Sequence, residues 1–199
     1  MEDEMLVARA MLECYPYIDD MYDALTRTAE RCAMNGFYAI FPVEQMRLYE
    51  QIMKCNERKI GLYNMKYLTE AGLGGGGILL RERFFEKKSV SVIAAEHGIP
   101  LRTAYRRLEK ELCSFTKALN VKGFDKKRLL KEFGNEPLFL SMLNRVIRED
   151  DESSRVRKEL RKRNAEVFNE VSLRNNRRTH PHRDVSDGVF REGTGASSA

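Results

Sequence analysis

Residues 89–112, SVSVIAAEHGIPLRTAYRRLEKEL, predict two short helices joined by a tight turn. Gly98 can adopt the left-handed conformation that ends the first helix, and Pro100 has the fixed φ that suits the first turn of the second. Apolar residues of the second helix recur every four positions, which predicts one buried stripe: Ala104, Leu108 and Leu112. We expect the turn and core of this two-helix unit to be formed by Ile93, Ala94, Gly98, Ile99, Ala104 and Leu108.

The side of the second helix that lies off this stripe is positively charged. It carries Arg102, Tyr105, Arg106, Arg107 and Lys110. A positive, solvent-facing helix after a glycine turn provides what contact with base edges and phosphates requires, and such a helix can enter the major groove of DNA. A charged run more often marks an ordinary solvated helix face. Here the small alanines, the glycine turn and the Thr-Ala-Tyr-Arg helix start occur together, which favours DNA binding.

Residues 78–112 extend this motif backwards into a leucine-rich helix that ends near an aromatic pair. The pattern comprises Leu79, Leu80, Phe84, Phe85, Ser89, Ile93, Ala94, Gly98, Ile99, Thr103, Ala104, Tyr105 and Arg106. The run resembles region 4 of bacterial RNA polymerase sigma factors, and still more the phage and mobile-element transcription regulators that carry a region-4-like helix-turn-helix. It covers about a fifth of the chain.

The resemblance implies that the third helix of this run reads promoter or operator DNA and that RNA polymerase is a partner. By position in this third helix, the resemblance implies DNA contact for five residues: Arg102, Thr103, Arg106, Arg107 and Lys110. We expect the first three of these to reach base edges and the last two to lie on phosphates, with Tyr105 beside them on the DNA-binding side. The chain departs from the family at Pro100, where a Ser or Thr cap is common, and at the apolar Leu101.

No segment resembles the aromatic-rich helices with which a full sigma factor melts promoter DNA. We therefore expect a sequence-specific transcription regulator that binds double-stranded DNA. Two alternatives stay open. One is a DNA-packaging accessory of a phage or mobile element, similar to a small terminase subunit, because such proteins also combine a helix-turn-helix with helical oligomerisation segments. The other is an adaptor whose basic helix docks on an acidic protein.

The composition predicts an all-α protein with a substantial core. Of 199 residues, 42% are hydrophobic, and leucine and methionine outnumber valine and isoleucine. The net charge is +5, but it is unevenly distributed: acidic residues exceed basic ones over residues 1–80, and basic residues exceed acidic ones afterwards. The positive charge is therefore concentrated with and after the helix that is expected to meet phosphates.

The four cysteines, Cys14, Cys32, Cys55 and Cys113, have neither CxxC spacing nor a nearby histidine at ligand spacing. A zinc site or a disulfide framework is not expected, and reduced thiols in a cytoplasmic protein are the simpler interpretation. No apolar run approaches the ~20 residues of a membrane span, so no membrane association is expected. The N-terminus is acidic, unlike a secretory signal.

Residues 1–72 predict an antiparallel helical hairpin. The first helix has a heptad seam at Tyr15, Ile18, Tyr22, Leu25, Ala29 and Cys32. If Pro16 lies in its first turn, residues 5–14 form a separate short helix. Asn35 and Gly36 are expected to end the first helix, and Pro42 to begin the second.

The second helix of the hairpin also has a heptad seam, at Met46, Tyr49, Met53, Asn56, Ile60, Tyr63 and Tyr67. Its tyrosines are expected to be packing residues with their hydroxyl groups at the rim. The sequence leaves open whether this seam closes within the chain or against a second copy, as a homodimer through the hairpin.

Residues 73–77 contain four successive glycines and predict a flexible linker to a helix-turn-helix domain over residues 78–149. Asp125 is expected to cap a short helix, and Pro137 to begin another. Residues 150–199 are expected to form a basic helix and, from Ser172, a disordered tail. Candidate phosphate contacts in that helix are Arg155, Lys158, Arg161, Lys162 and Arg163, although a solvated helix is the more common meaning of such a run.

No catalytic, cofactor or metal site is expected, and the chain is interpreted as a protein without enzymatic activity. Gly-x-Ser-x-Gly, HExxH and P-loop motifs are absent from the sequence. His97 lies in the turn, and the other histidines lie in the tail. The paired acids, Asp19–Asp20 and Asp150–Asp151, are neighbours that would point about 100° apart on a helix, which does not suit acid–base or two-metal chemistry.

Overall fold

A computed structural model gives the backbone of residues 2–179 and the side chains of residues 3–156 and 158–163. The helices, in chain order, are α1 (Glu2–Tyr38), α2 (Pro42–Leu73), α3 (Ile78–Leu80), a π-helical turn (Arg81–Phe85), α4 (Val90–Glu96), α5 (Leu101–Val121), α6 (Lys126–Phe133) and α7 (Pro137–Thr179). No strand occurs within residues 2–179, which confirms the all-α prediction. None of these helices combines the length and apolar composition that a membrane span requires. One compact unit ends at Asp151, and a second begins at Glu152.

Helices α1 and α2 form the antiparallel hairpin. Lys66 of α2 donates to Asp19 of α1 at 2.7 Å, and Cys32 near the other end of α1 donates to Gln51 at 3.1 Å. Pro42 begins α2, as the sequence predicts. Asn35 does not end the first helix, however, because α1 continues to Tyr38.

Helix α1 is a single helix of 37 residues with Pro16 inside it, so the separate short helix over residues 5–14 is not formed. A proline inside a helix costs about 3 kcal/mol because it removes one backbone hydrogen bond and clashes with the preceding turn. Side chains on both sides of Pro16 are buried in the same core, Cys14 at 0% and Ile18 at 1% exposure. Burial of this continuous face offsets the proline penalty and keeps the helix unbroken.

The second heptad seam does not pack inside the hairpin. Its seven positions are all exposed, whereas the residues of α2 that enter the core are Cys55, Leu62, Met65, Leu68, Thr69, Gly72 and Leu73. The expectation that its tyrosines are packing residues is therefore wrong for Tyr49, Tyr63 and Tyr67 within this chain. Helix α2 has two apolar faces, and the face with smaller side chains lies against α1 and the rest of the unit.

The glycine run forms a tight turn within the first compact unit. Gly74 donates its backbone N–H to Glu70 at 3.0 Å, and Gly77 has a φ of 70° where α3 begins. The π-helical turn that follows returns to α1, where Phe85 stacks on Tyr15 with ring centroids 3.5 Å apart. The hairpin and the helix-turn-helix segment thus belong to one unit and are not two units joined by a loose linker.

Two shorter connections complete the first unit. Asp125 caps α6, as predicted, by accepting the backbone N–H of Arg128 at 2.8 Å. Before α7, Glu136 is buried and accepts two hydrogen bonds from Arg58 of α2, at 2.8 and 3.1 Å. Helix α7 continues to Thr179, so residues 172–179 are helical and not part of a tail. The remainder of the predicted tail, residues 180–199, lies outside the described residues.

Candidate nucleic-acid interface

Helix α4 is capped at its start by a serine and ends in the glycine turn that the sequence predicts. Ser89 caps α4 by accepting the backbone N–H of Val92 at 3.3 Å. Gly98 has a φ of 60° and donates to Ala95, while the N–H of Ile99 donates to Ala94 at 2.9 Å. This pair of bonds is a Schellman motif, in which a left-handed glycine ends the helix and satisfies its last carbonyl groups. The turn is therefore defined by backbone bonds.

Helix α5 begins directly after this turn and is anchored along one side. The N–H groups of Thr103 and Ala104 donate to the carbonyl oxygen of Pro100 at 2.8 and 3.0 Å. The buried side chains of α5 lie on its core-facing side: Ala104, Leu108, Phe115, Thr116 and Leu119. Ile93 and Ala94 of α4 are also buried, so four of the six predicted turn and core positions lie in the interior, while Ile99 is half-buried and Gly98 is exposed in the turn. Leu112, predicted to complete the buried stripe, is only half-buried.

The opposite side of α5 exposes the basic residues that the sequence identifies. Arg102, Arg106, Arg107 and Lys110 are exposed, Tyr105 is 57% exposed, and Thr103 is half-buried. Within the described residues, none of the ion pairs includes any of these four cations. Their side chains are therefore available to an external anion, and no carboxylate of the described residues has to be displaced first.

Three of the acidic residues beside the motif have partners within the fold. Glu96 of α4 accepts from Lys88 at 2.9 Å, and hydrogen bonds from Lys88 to Glu96 and Glu86 raise the pKa of this lysine. Glu82 of the π-helical turn contacts His97 at 2.9 Å. Glu111 of α5 accepts the backbone N–H of Leu80 at 3.2 Å, and its burial raises the pKa of the carboxyl group. These three carboxylates are thus engaged within the fold, whereas Glu109 of α5 is exposed and belongs to none of the ion pairs of the described residues.

Apolar side chains border the basic residues, and the sequence reasoning gave them little weight. Leu101, at the first position of α5, is 48% exposed, and Val92 of α4 is 44% exposed. Methyl groups at the start of a helix that enters the major groove can contact the C5-methyl group of thymine. Leu101 is visible in the sequence as an apolar residue at the start of a basic helix.

The basic segment of α7 belongs to the second compact unit. Its candidate phosphate contacts are all exposed: Arg155, Lys158, Arg161, Lys162 and Arg163. Arg163 pairs with Glu159 one turn earlier at 2.8 Å, as on an ordinary solvated helix. Nothing in this arrangement favours a phosphate contact over solvation.

Comparison of the chain with protein-family models, with curated proteins and with solved structures finds no match. Among the described residues, no group of three or more His, Cys, Asp or Glu side chains is arranged to hold a metal ion. The case for a function therefore depends on the geometry of α4 and α5.

Proposed function

We propose that this protein is a sequence-specific DNA-binding regulator of transcription that reads duplex DNA with the first turns of α5. The observation that carries the proposal is the outward side of α5, where four exposed cations follow a glycine turn and form no ion pair with any of the described carboxylates. A helix-turn-helix presents its second helix to the major groove in this manner.

The spacing of two arginines fits the reading of base edges. Arg102 and Arg106 are four residues apart, which places them on one side of α5 about 6 Å apart along its axis. Successive base pairs are separated by about 3.4 Å, so the two guanidinium groups span roughly two base pairs. Arginine forms its most common specific contact with O6 and N7 of guanine, through two hydrogen bonds. We therefore expect a guanine under at least one of them.

Arg107 and Lys110 are assigned to phosphates. They are exposed one turn apart on α5, and Tyr105 exposes its hydroxyl group nearby. Phosphate contacts orient a protein on the duplex without reading its sequence. Each contact releases counterions from the DNA when it forms, which steepens the dependence of affinity on salt. The resemblance to sigma region 4 adds RNA polymerase as an expected protein partner, which a band-shift assay with added polymerase would test.

The phosphate assignment is tested by fluorescence anisotropy with a labelled duplex over a series of salt concentrations. Replacing Lys110 with alanine should weaken binding and reduce the slope of log K against log salt by about 0.9. Lys131→Ala is the matched control, since it removes one exposed positive charge from α6 and leaves the motif intact. Equal effects of both variants, or the absence of salt-dependent binding by the unmodified protein, would refute the proposal.

A further inference from the structure

The most prominent surface that the proposed function does not use lies on α2. Its exposed apolar side chains follow the heptad spacing of the second seam: Met46 (65% exposed), Tyr49 (67%), Met53 (59%), Ile60 (62%), Tyr63 (64%) and Tyr67 (62%), with exposed Asn56 in the middle. We call this set the α2 stripe. Near the loop of the hairpin it is followed by further exposed apolar residues: Phe37, Ile40, Phe41 and Val43.

The area of the α2 stripe matches what a stable protein interface needs. An aromatic side chain can bury 150–250 Å², so each of the three tyrosines leaves roughly 100–150 Å² of surface exposed. The six apolar residues together leave roughly 600–700 Å², before the loop residues are added. A standard interface takes about 800 Å² from each partner, whereas scattered exposed residues on a monomer need no partner.

We propose that the α2 stripe is covered by the α2 stripe of a second copy, with the two helices antiparallel and the two Asn56 residues at the twofold axis. The stripe has three apolar residues on each side of Asn56. A second α2 that runs in the opposite direction, with its Asn56 beside the first one, therefore places apolar residues opposite apolar residues. Tyr49 then faces Tyr63 of the second copy, Met53 faces Ile60, and Met46 faces Tyr67. Such self-complementarity is what a twofold interface requires.

The polar residues in and beside the α2 stripe favour this register. A single asparagine within an apolar seam fixes alignment, because its amide is satisfied only by the equivalent amide of the other helix. Lys54 and Glu57, which flank Asn56, are both exposed and leave the seam itself free of charge.

The position of the rest of the unit also favours the antiparallel arrangement. Near the end of α2, Gly72 packs on Phe115 of α5, and Arg58 binds Glu136 before α7. The bulk of the first unit is thus attached to the second half of α2, on a side that leaves the stripe exposed. Antiparallel stripes place the two bodies at opposite ends of the contact, while parallel stripes would bring them side by side.

Light scattering coupled to size-exclusion chromatography tests whether the pair forms. The full-length protein should elute with the mass of a dimer. Ile60→Glu places a charge in the centre of the interface and should raise the dimer dissociation constant at least about 30-fold. Val121→Glu is the matched control, because Val121 is 89% exposed and lies outside the stripe, so this variant should remain dimeric. Circular dichroism should show both variants as helical as the unmodified protein.

Disulfide trapping tests the orientation. Tyr49→Cys combined with Tyr63→Cys should form covalent dimers under mild oxidation, whereas Tyr49→Cys alone should form few. The unmodified protein is the background control, since Cys14, Cys32 and Cys55 are buried and Cys113 is half-buried. A monomeric mass, a mass above that of a dimer, or efficient cross-linking of Tyr49→Cys alone would each overturn the proposal. These outcomes do not depend on whether the protein binds DNA.

Discussion

Gly72, in the last turn of α2, provides a sharp test of how the hairpin joins α5. A Cβ atom added at this position would lie 2.6 Å from Cε2 of Phe115 and 3.2 Å from Cδ2 of Leu119. Carbon atoms in contact are normally 3.5–4.0 Å apart, so the Phe115 ring would have to move by about 1 Å. Both contacts lie in the core, where Phe115 and Leu119 are almost completely buried.

Two opposing effects decide the result of Gly72→Ala. Alanine is the better helix former by up to about 1 kcal/mol, although the gain is smaller in the last turn of a helix. Overpacking of a closely packed core costs about 1–3 kcal/mol. We expect the packing term to be the larger one, so that the free energy of unfolding falls by about 1–2 kcal/mol.

Gly61→Ala is the matched control in the same helix. A Cβ atom at Gly61 meets nothing within 4 Å, so only the helix-propensity gain applies. This variant should be more stable than the unmodified protein by about 0.5–1 kcal/mol. Urea unfolding followed by circular dichroism, at one protein concentration because association shifts apparent stability, measures both changes. If both variants are stabilised alike, Gly72 does not contact α5 and the described packing is wrong.

Three further predictions concern single contacts. Gly98→Ala forces a side chain into a φ of 60° and should lower the free energy of unfolding by about 1–2 kcal/mol in urea; an unchanged midpoint would contradict the left-handed turn. Arg58→Ala leaves the buried Glu136 carboxylate without its partner and should cost about 2–3 kcal/mol, less than for a fully buried pair because the Arg58 side chain is 35% exposed; a cost below about 0.5 kcal/mol would show that solvent replaces it. Burial, aided by a hydrogen bond to Glu70, raises the pKa of Tyr15 from 10.0 to about 12, so its contribution to stability is present below pH 10 and is lost as the pH rises toward 12. The free energy of unfolding of Tyr15→Phe should therefore fall less between pH 10 and pH 12 than that of the unmodified protein. Equal falls in both proteins would refute this.

The helix-turn-helix could be predicted from the sequence because its signals are local. Gly98 lies where a left-handed residue is required, and the four-residue spacing of Ala104 and Leu108 predicts a helix with both residues on one buried side. Ser89 and Asp125 each cap a helix by accepting the backbone N–H of the residue three positions later. Such a contact depends only on neighbouring residues in the sequence.

The hairpin was harder to predict because α2 has apolar residues on two sides. The sequence pattern identifies a heptad, but hydrophobicity alone does not decide which face enters the core. The choice depends on residues distant in the chain, such as Phe115, whose ring requires the absence of a side chain at Gly72. Pro16 shows the same limit, because burial of the surrounding α1 face outweighs a local helix-breaking preference.

Selection of bound duplexes from a random-sequence pool, with the unmodified protein and with Arg106→Ala, tests the central claim that α5 reads DNA. We expect the unmodified protein to enrich one motif and the variant to lose preference at a single base pair, at a cost of about 1–3 kcal/mol on the original motif. Lys131→Ala should enrich the same motif as the unmodified protein. No enrichment by the unmodified protein, or an identical motif with Arg106→Ala, would contradict the account.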